Sequence, residues 1–269
     1  MKFRLRRWLL SPRPFLMLVG FAAFLGGWYL LVDVLAVWRF GTLPGLVEVV
    51  TEWTAKEPAY GVSIFTSEYY THIWVSLRRI LLAFFGALAL GIPLGLFMGW
   101  STRFRELSFP VFELFRPIPI LAWVPLAIIM FASDEAPVIY LTFLAAFFAT
   151  ALNTLLGVQS IDREYIRAAY CLGSSSRQVF RHVVVPGALP FIFTGLQIAM
   201  GVAWFSLVAG EMVAGKFGLG YLINSSYTTT RYPTIIIGMI TLGAIGFLSS
   251  AIIRLVGNRL MVYRARAMA

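Results

Sequence analysis

A single cysteine, Cys171, excludes an internal disulfide framework, and by sequence it reads as a small, half-buried side chain. Histidine is nearly as scarce. His72 and His182 lie far apart and neither is accompanied by a cluster of carboxylates, so no metal or catalytic constellation forms around them. A membrane-embedded enzyme would need clustered His, Asp or Cys near one interface, and that cluster is missing. Charge is sparse, at 13% of residues, and acids are the scarcer sign, 12 against 22 bases. In a soluble protein a net charge of +10 would suggest a nucleic-acid partner. Here 59% of residues are hydrophobic and the mean hydropathy is +0.82, which leaves too little polar surface for a soluble domain. No internal repeat is visible, and so no sign of the inverted halves of many secondary transporters.

What the chain has instead is long apolar runs, several near the roughly 20 residues that cross a bilayer core. Spans are predicted over Phe15–Trp38, Ile80–Trp100, Ser108–Phe131, Pro137–Val158, Gly187–Gly210 and Pro233–Val256. All are expected to be helices, because lipid offers no partner to an unpaired backbone group. The fold class is therefore an all-α membrane protein of about six transmembrane helices. The amino terminus opens like a signal peptide, but its apolar run is too long and lacks a small-residue cleavage site, so it reads as an uncleaved first span. Basic clusters at Lys2–Arg13, Arg103–Arg105, Arg163–Arg181 and Arg254–Arg266 fall on one side, which predicts that both termini are cytoplasmic.

The expected organisation is a basic cytoplasmic N-terminus (1–14), a first span (15–38) and a periplasmic segment with an amphipathic lead-in (39–79). A five-span core (80–256) and a basic cytoplasmic C-terminus (257–269) follow. Arg78 and Arg79 are expected at the outer interface on the lead-in, snorkelling towards water. Gly91, Gly95 and Gly99 recur every four residues around Pro93 and form a flat ridge where another helix can approach.

One stretch interrupts this apolar pattern. Between Gly157 and Gly187, residues Ile161, Tyr165, Ala168, Ala169 and Leu172 fall at helical spacing on one apolar face of a first short helix, from about Ser160. Asp162 and Glu164 lie in its first turn, where the helix dipole favours negative charge. Gly173 can adopt a left-handed end cap. Ser175 to Gln178 reads as a Ser-x-x-Gln capping box for a second short helix, with Arg177 and Arg181 on one face and Val179 and Val183 on another. Pro186 is expected to end this helix, because proline disfavours a helical Val185. Two capped amphipathic helices in a loop longer than connection requires form a docking knob. "GEMVAGKF", Gly210 to Phe217, nearly spells a phosphate-binding loop. Phe217 replaces the hydroxyl residue that would ligate magnesium, so the match is fortuitous and any ATP must be bound by another polypeptide.

The polar stretch resembles the signature of ABC importer permeases: Glu-Ala-Ala, three residues, Gly, nine residues, Ile-x-Leu-Pro. Ala168, Ala169, Gly173 and Pro186 match in register, and Val183 and Val185 stand for Ile and Leu. Arg167 takes the glutamate position, with Glu164, one turn earlier, as its candidate substitute. "RPIPILAWVPLAIIMF" (Arg116 to Phe131), "LNTLLGVQSID" (Leu152 to Asp162) and "VAGEMVAGKFGLGYLI" (Val208 to Ile223) are similar to the nitrate/sulfonate/taurine branch of these permeases. The resemblance implies a type I importer permease fold with a cytoplasmic coupling-helix loop (157–187) in the bacterial inner membrane. It implies a second permease subunit, two cytoplasmic ATPases that use ATP and Mg, and a periplasmic substrate-binding protein. It also implies a small anionic solute: nitrate, a sulfonate, taurine or an organic carboxylate. No cofactor is implied for this chain. ATPase coupling falls to Glu164, Arg167, Ala168, Ala169, Gly173, Arg177 and Pro186.

For the translocation pathway the candidates are Arg116, Pro117, Pro119 and Glu211. Arg116 is the one basic residue placed well inside a span. Pro117, Pro119 and Pro125 interrupt helical bonding after it. Two readings of Arg116 stand: it assists a passing anion, or it is neutralised by Glu113 or snorkels to the cytoplasmic interface. Glu211, followed by Gly215, Gly218 and Gly220, is either a gating residue beside a re-entrant turn or a plain interfacial acid. Phe143, Phe147 and Phe148 read as packing or lipid-facing. The rival class is a self-sufficient channel or ion-driven transporter, which would show further paired ionisable residues within the spans.

Overall fold

The computed structural model describes residues 12–35 and 43–261. Expectations for Lys2, Arg4, Arg6, Arg7, Arg39, Arg264, Arg266 and the end of the first span at Trp38 fall outside the described residues. Secondary structure among those residues is helical throughout. Two compact units separate along the chain, 1–70 with 225–237 and 71–224 with 238–269. The first unit holds α1 (Pro12–Tyr29), extended by a π turn over Leu30–Val34, and α2 (Leu46–Thr54). Glu52 on the buried side of α2 accepts hydrogen bonds from the amides of Ala59 and Tyr60 at 3.1 and 2.7 Å, folding the following loop back onto the helix.

The second unit carries most of α3 (Ser67–Trp100), then α4 (Thr102–Phe115) and α5 (Val124–Met130). Next come α6 (Ala136–Gln159), α7 (Arg163–Cys171), α8 (Ser176–Val179) and α9 (Val185–Ala214). The short α10 (Leu219–Thr228) and the long α11 (Tyr232–Leu260) follow. Five helices among the described residues are long and apolar enough to cross a membrane, or six if the bent pair at 102–130 is one span. The core lies where α3, α6 and α9 meet, around Ile80, Phe84, Ala146, Ala188, Leu196 and Leu207.

Three expectations are corrected. The lead-in before Ile80 is not a separate segment: α3 runs unbroken for 34 residues, about 51 Å at helical rise, well beyond the roughly 30 Å hydrocarbon core. The continuous span over Ser108–Phe131 is instead broken and bent by 84°. Pro119 is extended at ψ 132°, and neither it nor Pro117 has an amide to donate, so α4 stops at Phe115 and the chain restarts in a 3-10 turn at Ile120. Finally, Pro186 does not end the second short helix. A π turn over Phe180–Val184 carries α8 into α9, and Val185 is helical, its amide donating to Phe180 O. The wider turn delivers Pro186 to the first turn of α9.

The glycine ridge of α3 lies against α6. A Cβ at Gly91 would lie 3.2 Å from Thr150; at Gly95, 2.5 Å from the Ala151 carbonyl oxygen; at Gly99, 2.4 Å from Val158 Cβ. Overpacking of this kind costs about 1–3 kcal/mol. Thermal unfolding in detergent should therefore rank Gly91→Ala as milder than Gly95→Ala, where the obstacle is backbone. Equal loss at both sites would show that α3 and α6 are not held at this distance.

Candidate functional site

Two constellations lie at opposite ends of the α3, α6 and α9 core. The first is the polar loop. Asp162 caps α7 by accepting from the Glu164 amide at 3.0 Å, so the helix begins at Arg163 and not at Ser160. Gly173 closes it at φ +82°, a conformation that strains any L side chain, with the Gly173 and Ser174 amides donating to Tyr170 O and Ala169 O. The Ser175–Gln178 capping box is complete in both directions. With its ends pinned, α7 presents its apolar face outwards: Tyr165 is 68% and Leu172 87% exposed. Together with Ala168, Ala169, His182 and Val183 these residues border an open cleft of about 610 Å³. Cys171 is exposed on the same helix, not half-buried as its composition suggested. Behind the cleft Val179 is buried, and Phe180 packs on Phe97 and Trp100 of α3 at centroid distances of 6.1 and 5.6 Å.

The second constellation is a buried charge cluster. Glu211, near the end of α9, has no exposed surface. Its carboxylate accepts from Ser76 Oγ at 2.8 and 2.9 Å, from Arg79 Nη1 at 3.0 Å and from the Gly220 amide at 2.8 Å. Arg79 is only 1% exposed, and the expectation that it snorkels towards water is overturned. Its Nη1 also donates to the Phe217 carbonyl at 2.6 Å, and its Nε and Nη2 donate to Glu135 at 3.0 and 2.5 Å. A charge removed from water needs such partners, and here two carboxylates and a carbonyl supply them. Hydrogen bonding from Arg79 holds the Glu135 carboxyl below the ordinary carboxylate range, against the opposing effect of its partial burial.

The chain after α9 wraps this carboxylate. Gly218 sits at φ +119°, and a Cβ there would fall 2.3 Å from the Glu211 carboxyl group. The Gly218 amide lies 3.0 Å from His72 Nδ1, and the Leu219 amide donates to Ser76 Oγ at 2.8 Å. On the rim, Lys216 pairs with Asp134 at 2.6 Å, so the fortuitous phosphate-loop lysine has a partner of its own.

Of the pathway candidates, Arg116, Pro117 and Pro119 form the elbow after α4, and Glu211 lies elsewhere, in the charge cluster. Arg116 is 38% exposed and paired with Glu113, one turn earlier. Sequence reasoning passes over Ser76 and Glu135, and takes His72 as an isolated histidine and Arg79 as an interfacial cation. A signal existed: His72, Ser76 and Arg79 recur at four and three residues, a polar stripe along an otherwise apolar helix face. No group of three or more His, Cys, Asp or Glu able to hold a metal occurs among the described residues.

The broken span, the long helices and the capped loop define a protein class. The fold is that of ABC transporter permeases. Its solved likenesses include the methionine transporter MetNI in inward-facing form (TM-score 0.57, 19% identity, 70% of this chain and 92% of that one) and an amino acid ABC transporter with histidines (0.57, 20%, 71% and 94%). Residues 91–263 match the family described as binding-protein-dependent transport system inner membrane component, and the chain belongs to that family. A probable ABC transporter permease of Brucella abortus (strain 2308) is 38% identical over 93% of this chain and 96% of its own length. The taurine transport system permease of Escherichia coli K12 is 42% identical over 70% and 69%, and a nitrate import permease of Leptolyngbya laminosa 32% over 76% and 74%. These likenesses support the nitrate/sulfonate/taurine branch. The protein is thus the membrane-spanning permease subunit of an ABC importer, a family that works with ATPase and substrate-binding components.

The cluster makes graded demands. Removing one partner of a buried ion pair costs about 3–5 kcal/mol, so Glu211→Ala should unfold far more easily than wild type in a denaturant series. Glu135 is 48% exposed, and Glu135→Ala should cost about 1 kcal/mol or less. Because its folded pKa is depressed, the Glu135 contribution is present above the ordinary carboxylate pKa and lost as pH falls through the lowered value. Wild type should thus lose stability relative to Glu135→Ala on acidification through that range. Equal sensitivity of the two proteins would dissociate Glu135 from the cluster.

Proposed function

We propose that this permease imports a small anion, pairs with a second copy of itself, and is driven by two cytoplasmic ATPases docked on the exposed face of α7. The carrying observation is that face. It is an apolar surface held rigid by three caps and left open to solvent, which a mere connection between spans has no reason to build. Ala168 and Ala169 keep the cleft floor low, Gly173 sets the angle between α7 and α8, and Glu164, Arg167 and Arg177 supply charges around it. Pro186, at the start of α9, lies where the loop joins the spans. In this reading ATP and Mg belong to the ATPase.

Closure of the ATPases would displace α7 and α8. Phe180, stacked on Phe97 and Trp100, couples α8 to α3, and the π turn couples it to α9. About 20 residues separate Trp100 from Arg79, so a rigid α3 carries that displacement some 30 Å to the charge cluster. In this reading the loop faces the cytoplasm, as do both termini, and the cluster faces the side where a periplasmic binding protein delivers solute. The taurine and nitrate permeases named above motivate the anionic solute.

Leu172→Asp places a charge at the most exposed apolar point of the cleft without touching the spans. ATPase co-purification and stimulated hydrolysis should fall at least about tenfold, equivalent to about 1.4 kcal/mol of docking energy. Full ATPase recruitment by a folded Leu172→Asp protein would refute docking on α7. Solute movement without any ATPase would favour a self-sufficient transporter instead.

A further inference from the structure

Building on the anionic-solute reading above, we propose that Arg79 is an anion-binding residue of the permease. Glu135 occupies its recognition edge as a resident carboxylate that a solute anion displaces. The guanidinium has two edges in different circumstances. Nη1 is committed inwards, to Glu211 at 3.0 Å and the Phe217 carbonyl at 2.6 Å. The Nε–Nη2 edge grips Glu135 through both oxygens, at 3.0 and 2.5 Å. This parallel two-bond grip suits any group presenting two neighbouring oxygens, including carboxylate, nitrate, bicarbonate and sulfonate.

Burial decides which carboxylate can leave. Glu211 has no exposed surface, and Ser76 and the Gly220 amide hold it in addition to Arg79. Glu135 is 48% exposed, stands just before the first turn of α6 and makes no side-chain cap to that helix. Among the described residues its carboxylate is held by Arg79. Withdrawing it opens the Nε–Nη2 edge to water, while the inward ties keep the guanidinium aimed. The surroundings suit negative charge: α6 points its N-terminus here, and exposed Arg78 acts electrostatically on the same carboxylate. Exchange of Glu135 for a solute anion conserves the cluster's charge. It also releases the 131–135 loop from α3, so anion arrival is coupled to freeing the start of α6.

Chemical rescue tests this on the full chain in lipid nanodiscs. Thermal unfolding of wild type and Glu135→Ala would be followed in formate, nitrate or methanesulfonate, against chloride at equal ionic strength. Glu135→Ala should melt below wild type and recover saturably with formate and nitrate, while wild type stays flat. The Glu135→Ala/Arg79→Lys protein, which lacks the two-bond edge, should need at least tenfold more anion. No saturable recovery in folded Glu135→Ala, or equal recovery in the double variant, would overturn the proposal. If Glu135→Ala does not fold, Glu135→Gln keeps the shape without the charge. It should show the same nitrate-dependent rise, and its absence would equally overturn the site. The readout needs neither ATPase nor transport, whereas uptake of labelled nitrate or taurine by the wild-type complex tests the anionic-solute reading alone.

Discussion

Burying the Arg79 guanidinium is the constraint around which this end of the permease is arranged. An unpaired cation in a water-poor interior would be untenable, so each helix that approaches contributes an acceptor. Glu211 arrives from α9, Glu135 from the start of α6, and the Phe217 carbonyl from the turn that follows α9. Satisfying Glu211 in turn requires Ser76 and the Gly220 amide, and bringing that amide close requires a left-handed residue without a Cβ at Gly218. One charge thus dictates the path of the chain from Gly215 to Leu219. His72 receives the Gly218 backbone in the same arrangement, stacked beside Tyr221.

The remaining packing joins this cluster to the other end of the α3, α6 and α9 core. Glycines bring α3 onto α6, and Gly157 and Gly195 do the same for α6 against α9, at positions where a Cβ would lie 2.7 Å from Phe191 and 2.4 Å from Asn153. Helices in such close contact slide or tilt together more readily than they bend, because their interfaces have no slack. The three helices that supply the cluster are the same three whose other ends meet near Trp100, Val158 and Val184. In the proposed mechanism a displacement at the capped loop reaches ion pairs, whose energy changes steeply with distance and solvent access. The elbow at Pro117 and Pro119 is built on the opposite principle: it forgoes backbone bonds and exposes Arg116, which Glu113 neutralises locally.

What the sequence by itself determined are the features written within a turn or a single helix. The apolar runs place the spans. Asp162, Gly173 and the Ser175–Gln178 box set the ends of the short helices, because a cap is a bond between neighbours. The four-residue glycine spacing announces a packing face, and the ordered small residues of the polar loop carry the family resemblance. Only the tertiary structure decided the rest. Arg79 and Glu211 are 132 positions apart, Arg79 and Glu135 56, and Ser76 and Glu211 135. Local sequence makes Arg79 a cation at the edge of a span, for which snorkelling is the cheapest solution. Whether it turns to water or inwards depends on acceptors from other segments and on the dielectric they create together. At Pro186 a π turn over Phe180–Val184 converts an expected stop into the start of α9. Local bonds are legible one turn at a time, whereas the cost of a buried charge is a property of everything around it.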